Sequence, residues 1–93
     1  MNADFISVHN YRERAVFDAV TKAADLFPDM AEDPGILADV ACVALNRLQP
    51  RYIRHPVDYA FYLTDEERVN DERAITAAVE AAFLFVRSRL AEK

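Results

Sequence analysis

Three arginines, Arg47, Arg51 and Arg54, stand in a stretch that holds no acidic residue between Asp39 and Asp58. A guanidinium is a planar fork of donors that matches the oxygens of a phosphate or carboxylate. Tyr52, between two of these arginines, offers a ring face on which a base can stack. Asn46, at the start of the same stretch, can both donate and accept. The chain carries a net charge of −5, yet this window carries +3, which leaves −8 on the rest. An acidic protein with one basic island has the makings of a local anion site. The competing reading is that the arginines pair with the plentiful carboxylates and that Tyr52 packs on the core. Residue types and spacing alone leave the two readings level.

Other chemistries find little support. The one glycine, Gly35, cannot make a glycine-rich phosphate loop. Ser7 and Ser88 lie in no strand–turn–helix context that would activate a hydroxyl. His9, His55 and the single cysteine, Cys42, lack the spacing of a zinc site. No catalysis, metal or cofactor is therefore expected. The acidic balance argues against bulk binding of DNA or RNA, which needs a dominant basic surface. One cysteine permits no internal disulfide and fits a reducing compartment. The first residues do not read as a signal peptide, and no run reaches the ~18 apolar residues of a membrane span. The expectation is a soluble, cytoplasmic protein without membrane contact.

The elements that must position the island are helical. In 93 residues, 53% apolar, one glycine and four prolines leave few stops, so helices must be long and turns few. The pattern predicts an all-α domain of three to five helices, with a short extended segment after the central one. The first helix is expected to start at Asn10, an N-cap with Glu13 three residues on, and to run to Phe27 on a stripe of Tyr11, Ala15, Val16, Ala19, Val20 and Ala23. Asp33-Pro34 opens the second, which is apolar nearly all round and so reads as the buried centre, with Cys42 inside it. Asp39 and Asn46, seven apart, then form a buried polar pair in need of partners. Pro50 stops this helix, and residues 51–55 read as extended, with Ile53 on one side and Tyr52 and Arg54 on the other. That segment would pair with its copy across a two-fold axis or lie on the helices. Thr64 and Glu67 form a capping box for the last helix, whose stripe runs from Ala74 to Val86. The acidic run 65–72 reads as a solvated face. So apolar a helical chain is also expected to bury a face against a second copy.

The run Asp39-Val-Ala-Cys-Val-Ala-Leu-Asn-Arg-Leu-Gln-Pro-Arg-Tyr-Ile-Arg54 resembles the signature of the ComFB family, small proteins named for late competence development. Asn10-Tyr-Arg-Glu13 resembles that family's opening motif, and the stripe from Ala74 to Val86 its last helix. The resemblance implies residues 1–9 as an N-terminal extension and 10–93 as a helical domain that forms a homodimer. It also implies a receptor for the second messengers cyclic di-GMP or cyclic di-AMP, linked to competence or motility. Matched by position, the motif points to Asn46, Pro50, Arg51, Tyr52 and Arg54 as ligand residues, with Arg47 inside it. Asp39, His55, Tyr59 and Tyr62 are further candidates for ligand or dimer contact. Gln49 stands where the family usually has a second proline. The alternative is a protein–protein adaptor, with Tyr59, Phe61 and Tyr62 on its contact surface and a regulatory protein as partner.

Overall fold

The computed structural model describes residues 3–57, 61 and 63–92. Its helices are α1 (Tyr11–Ala23), a short α2 (Pro28–Ala31), α3 (Pro34–Arg47) and a long α4 (Asp65–Ala91). Two strands of two residues each, β1 (His9–Asn10) and β2 (Tyr52–Ile53), are the only sheet among the described residues. The all-α expectation holds.

Each helix begins where local chemistry dictates. Asp33 caps α3, its Oδ1 accepting from the N–H groups of Gly35 and Ile36 at 2.9 and 3.2 Å, and Pro34 fills the first helical position. Thr64 caps α4. Its Oγ1 accepts from the Glu67 N–H at 3.0 Å and donates to the Glu67 carboxylate at 3.1 Å. Asn10 caps α1 by accepting from the Arg12 N–H, so Glu13 takes no part and the expected capping box does not form. The end of α1 also departs from expectation. It stops at Ala23 and tightens into a 3-10 turn at Ala24–Leu26, because Phe27, before Pro28, is pushed out of the helical region.

The core is three-sided. Val16 and Val20 of α1, Val40, Ala41 and Ala44 of α3, and Ile75, Val79, Ala82 and Phe83 of α4 are buried together. The many alanines let the axes approach closely, and α4, about 40 Å long at 1.5 Å per residue, packs along both other long helices. Phe27 and Met30 close one end. The Phe27 ring stacks on Phe83 at 4.4 Å between centroids, and the Arg87 guanidinium lies over the Phe27 ring at 5.2 Å.

Two expectations about α3 are corrected. The helix turns only one face inward, so Ala38, Asp39, Cys42 and Asn46 are exposed. Cys42 is not a buried hydrophobe, and Asp39 and Asn46 are not a buried pair. With α1 and α4 both on one side of α3, nothing among the described residues covers the other.

The buried polar pair lies elsewhere. Arg12, 8% exposed, donates to the Asp71 carboxylate at 2.6 Å and ties the start of α1 to α4. Asp71 is thus the exception within the acidic run read as solvated. Removing one partner of a buried pair strands the other's charge, at a cost of about 3–5 kcal/mol. A domain this size holds roughly 5–14 kcal/mol in all. Asp71→Ala is therefore expected to lower the urea midpoint steeply, while Arg12→Met with Asp71→Leu recovers much of the loss. Equilibrium unfolding of the single and double variants checks this.

Candidate functional site

The basic segment leaves α3 through Leu48, whose backbone is extended (φ −105°, ψ 144°). From there its path is fixed by the start of α1. The Arg51 N–H donates to Asn10 Oδ1 at 2.8 Å, and the Arg51 carbonyl accepts from the Tyr11 N–H at 2.7 Å. Tyr52 and Ile53 then pair antiparallel with Asn10 and His9. The expected partner was a second copy or the helix surface. The observed partner is the N-terminal stretch of the same chain, which sits close enough to offer a ladder edge. Residues 4–10 are thereby tied to the site.

The side-chain directions are set by the strand. Successive residues alternate, so Ile53 turns inward and is half-buried, while Tyr52 faces solvent at 69% exposure. Arg54 reaches back to the N-terminal stretch. Its Nε donates to Ser7 Oγ at 3.1 Å and its terminal nitrogen to Asp4 Oδ2 at 3.4 Å. The Ser7 hydroxyl in turn donates to the Asp4 carbonyl at 2.9 Å. Arg47 and Arg51 are exposed, and their guanidiniums make no ion pair among the described residues. Of the three island arginines, carboxylates of the described residues engage Arg54 alone.

Of the other candidates, Pro50 and His55 are exposed beside the arginines in sequence. Asn46 is exposed in the last turn of α3 and makes no side-chain hydrogen bond among the described residues. Asp39 lies about 12 Å up the helix axis from Arg47, at 1.5 Å per residue, so the fold does not bring it to the basic segment. Tyr59 and Tyr62 lie outside the described residues. Phe61 is largely exposed.

Four residues beside the site were not named as site residues from sequence. Arg12, Glu67, Asn70 and Asp71 join Arg51 and Ala74 around a cleft of about 260 Å³ between the N-terminal ends of α1 and α4. A signal was present. Arg12 precedes Val16 and Val20 at steps of four, and Asp71 precedes Ile75 and Val79 likewise, so each charge lies on a buried stripe. Of the larger hollows, one of about 390 Å³ includes Ala23, Leu26, Phe27 and Val79, and one of about 560 Å³ includes Phe17, Leu37, Cys42 and Leu45. Two more carry charged linings, one of about 400 Å³ with Asp18, Lys22, Arg68 and Asp71, and one of about 410 Å³ with Glu72, Arg73 and Glu80. Among the described residues no three His, Cys, Asp or Glu side chains group as a metal site would, and no helix is long and apolar enough to cross a membrane.

The family model of the late competence development protein ComFB matches residues 9–90 of the chain. No curated protein and no solved structure matches it.

The Asn10 carboxamide oxygen serves both the α1 cap and the Arg51 amide, so its loss removes two bonds at once. Asn10→Ala is expected to cost about 1–2 kcal/mol, the range of a lost cap. Asp33→Ala, which removes only the α3 cap, serves as comparison. Hydrogen exchange should show the Arg51 amide losing protection in the first variant and keeping it in the second.

Proposed function

The chain belongs to the family of the late competence development protein ComFB, and from that premise we propose that it is a non-catalytic receptor for a cyclic dinucleotide. The observation that carries the reading is the state of residues 51–54. Arg51 and Tyr52 are held by backbone bonds to the start of α1 and its flanking strand, yet their side chains are exposed and uncommitted among the described residues. A pinned backbone is preorganised for a ligand, since only the two side chains remain to be ordered on binding. A guanidinium and a ring face on neighbouring residues suit a phosphate and its attached base.

A cyclic dinucleotide has two phosphates, two bases and approximate two-fold symmetry. A two-fold homodimer offers each site residue twice, so two copies of Arg51 meet two phosphates and two copies of Tyr52 meet two bases. Apolar side chains favour such an association. Phe5 and Ile6, between the Asp4 and Ser7 that contact Arg54, are large and exposed, Ile6 almost wholly. A second copy covering them brings its own basic segment to the same place.

Calorimetric titration with cyclic di-GMP and cyclic di-AMP, at protein near 100 μM to register micromolar affinity, is expected to give heat for at least one, with one dinucleotide per two chains. Heat for neither overturns the reading. Arg51→Ala is expected to weaken binding by about tenfold or more, the worth of one charge-assisted hydrogen bond. Sedimentation with ligand present should report a dimer.

A further inference from the structure

Arg54 lies one residue past the strand that carries Tyr52, and its guanidinium is engaged from within the chain. Its Nε donates to Ser7 Oγ at 3.1 Å and its terminal nitrogen to Asp4 Oδ2 at 3.4 Å, so two oxygens sit against one edge of the fork. Two oxygens against one edge is also how a phosphate meets an arginine. The Ser7 hydroxyl donates to the Asp4 carbonyl at 2.9 Å, and the Val8 N–H donates to the Phe5 carbonyl at 3.1 Å. One 3-10 turn, Phe5–Ser7, thus holds both acceptors together.

We infer that Asp4 and Ser7 form an internal clasp that stands in for the ligand's phosphate, occupying Arg54 in the free chain and giving way when a phosphate binds; the inference rests on the receptor reading. Asp4 and Ser7 precede residues 9–90, so the clasp is an addition to what the family model covers. Its effect is autoinhibitory: it holds affinity below what the exposed arginines alone provide.

The clasp has the strength of a competitor, not of a structural bond. At 3.4 Å the Asp4 contact is longer than the about 2.7–2.9 Å of a good charge-assisted bond. Both its side chains are more than half exposed, where an ion pair contributes little and salt screens it. The contrast is with Arg12 and Asp71, which meet at 2.6 Å with side chains one-tenth exposed. A phosphate brought in by Arg51, three residues away, offers Arg54 a shorter and more highly charged partner than the Asp4 carboxylate. The β1–β2 ladder keeps the clasp ready to re-form, because His9 and Asn10 stay paired with Ile53 and Tyr52. Asp4 is therefore a tethered competitor at high effective concentration. Only the Asp4 and Ser7 side chains need turn away, and the ladder keeps its bonds.

The test is calorimetric titration of the full chain and three variants with cyclic di-GMP and cyclic di-AMP at low salt. Asp4→Asn removes the carboxylate charge and Ser7→Ala the hydroxyl. Each is expected to raise affinity about two- to fivefold, the worth of one exposed contact, and the gain from Asp4→Asn is expected to shrink as salt is raised. Ser7→Ala changes no charge, so its gain cannot come from the net charge of the chain. Asp29→Asn, which removes the same charge from the exposed side of α2, is expected to leave affinity unchanged. An affinity unchanged or lowered in Asp4→Asn or in Ser7→Ala, or an equal gain in Asp29→Asn, overturns the clasp and leaves the receptor reading standing. Dinucleotide bound by none of the four chains overturns both.

Discussion

A buried ion pair, Arg12 with Asp71, joins positions that are 59 residues apart and fixes how α1 enters the fold. The placement of the basic segment depends on it. Arg12 sits two residues after Asn10, so anchoring its guanidinium under α4 sets where the α1 cap lies. The cap oxygen then takes the Arg51 amide, and the Tyr11 amide takes the Arg51 carbonyl. Three consecutive residues thus transmit the position of the core to the one basic segment. The pair itself is poor evidence for net stability, because desolvating two charges offsets much of their attraction. Its worth lies in geometry: the charges satisfy each other in one arrangement, and that arrangement holds the segment in place.

Much of this was legible in the sequence, for reasons that differ by element. The caps at Asn10, Asp33 and Thr64 were legible because a cap is a local bond between residues two or three apart. The stripe of α4 was legible because burial on one side leaves a 3.6-residue period. The basic island was legible because it is a matter of counting charge. The burial of α3 was misjudged because composition says how apolar a helix is, not how many neighbours it has. In this chain α1 and α4 cover one face only, which leaves Cys42, Asp39 and Asn46 outside. Arg12 and Asp71 were passed over because charged residues at helix N-terminal turns are ordinary on solvated faces. Only their register with Val16 and Ile75 marks them as different. The pairing of residues 52–53 with 9–10 had no local signal, since two-residue strands are specified by the partner that happens to lie alongside.

The site divides the labour between two kinds of support. The arginine backbone is held by hydrogen bonds to α1, whereas the cleft behind it is held by helix packing and the ion pair. The exposed Arg51 and Arg47 guanidiniums make no ion pairs among the described residues and are carried on backbone already held in place, so engaging a ligand orders their side chains alone. Arg54 is different, because Ser7 and Asp4 already hold it. Two arginines three residues apart therefore have unlike tasks, one presented outward and one binding the N-terminal stretch to the segment.

The β1–β2 ladder spans some forty residues of chain and contains two pairs of residues. Closing a loop of that length has an entropic cost that grows with its logarithm, and two-stranded ribbons do not stand alone in water. The ladder therefore persists only while the helical core keeps its two halves adjacent. In the order of local openings it belongs at the weak end, below the threshold at which α3 and α4 separate. Helical content and competence of the site are consequently different quantities. A chain can keep nearly all its helix, and its circular dichroism, after residues 51–54 have come away from α1.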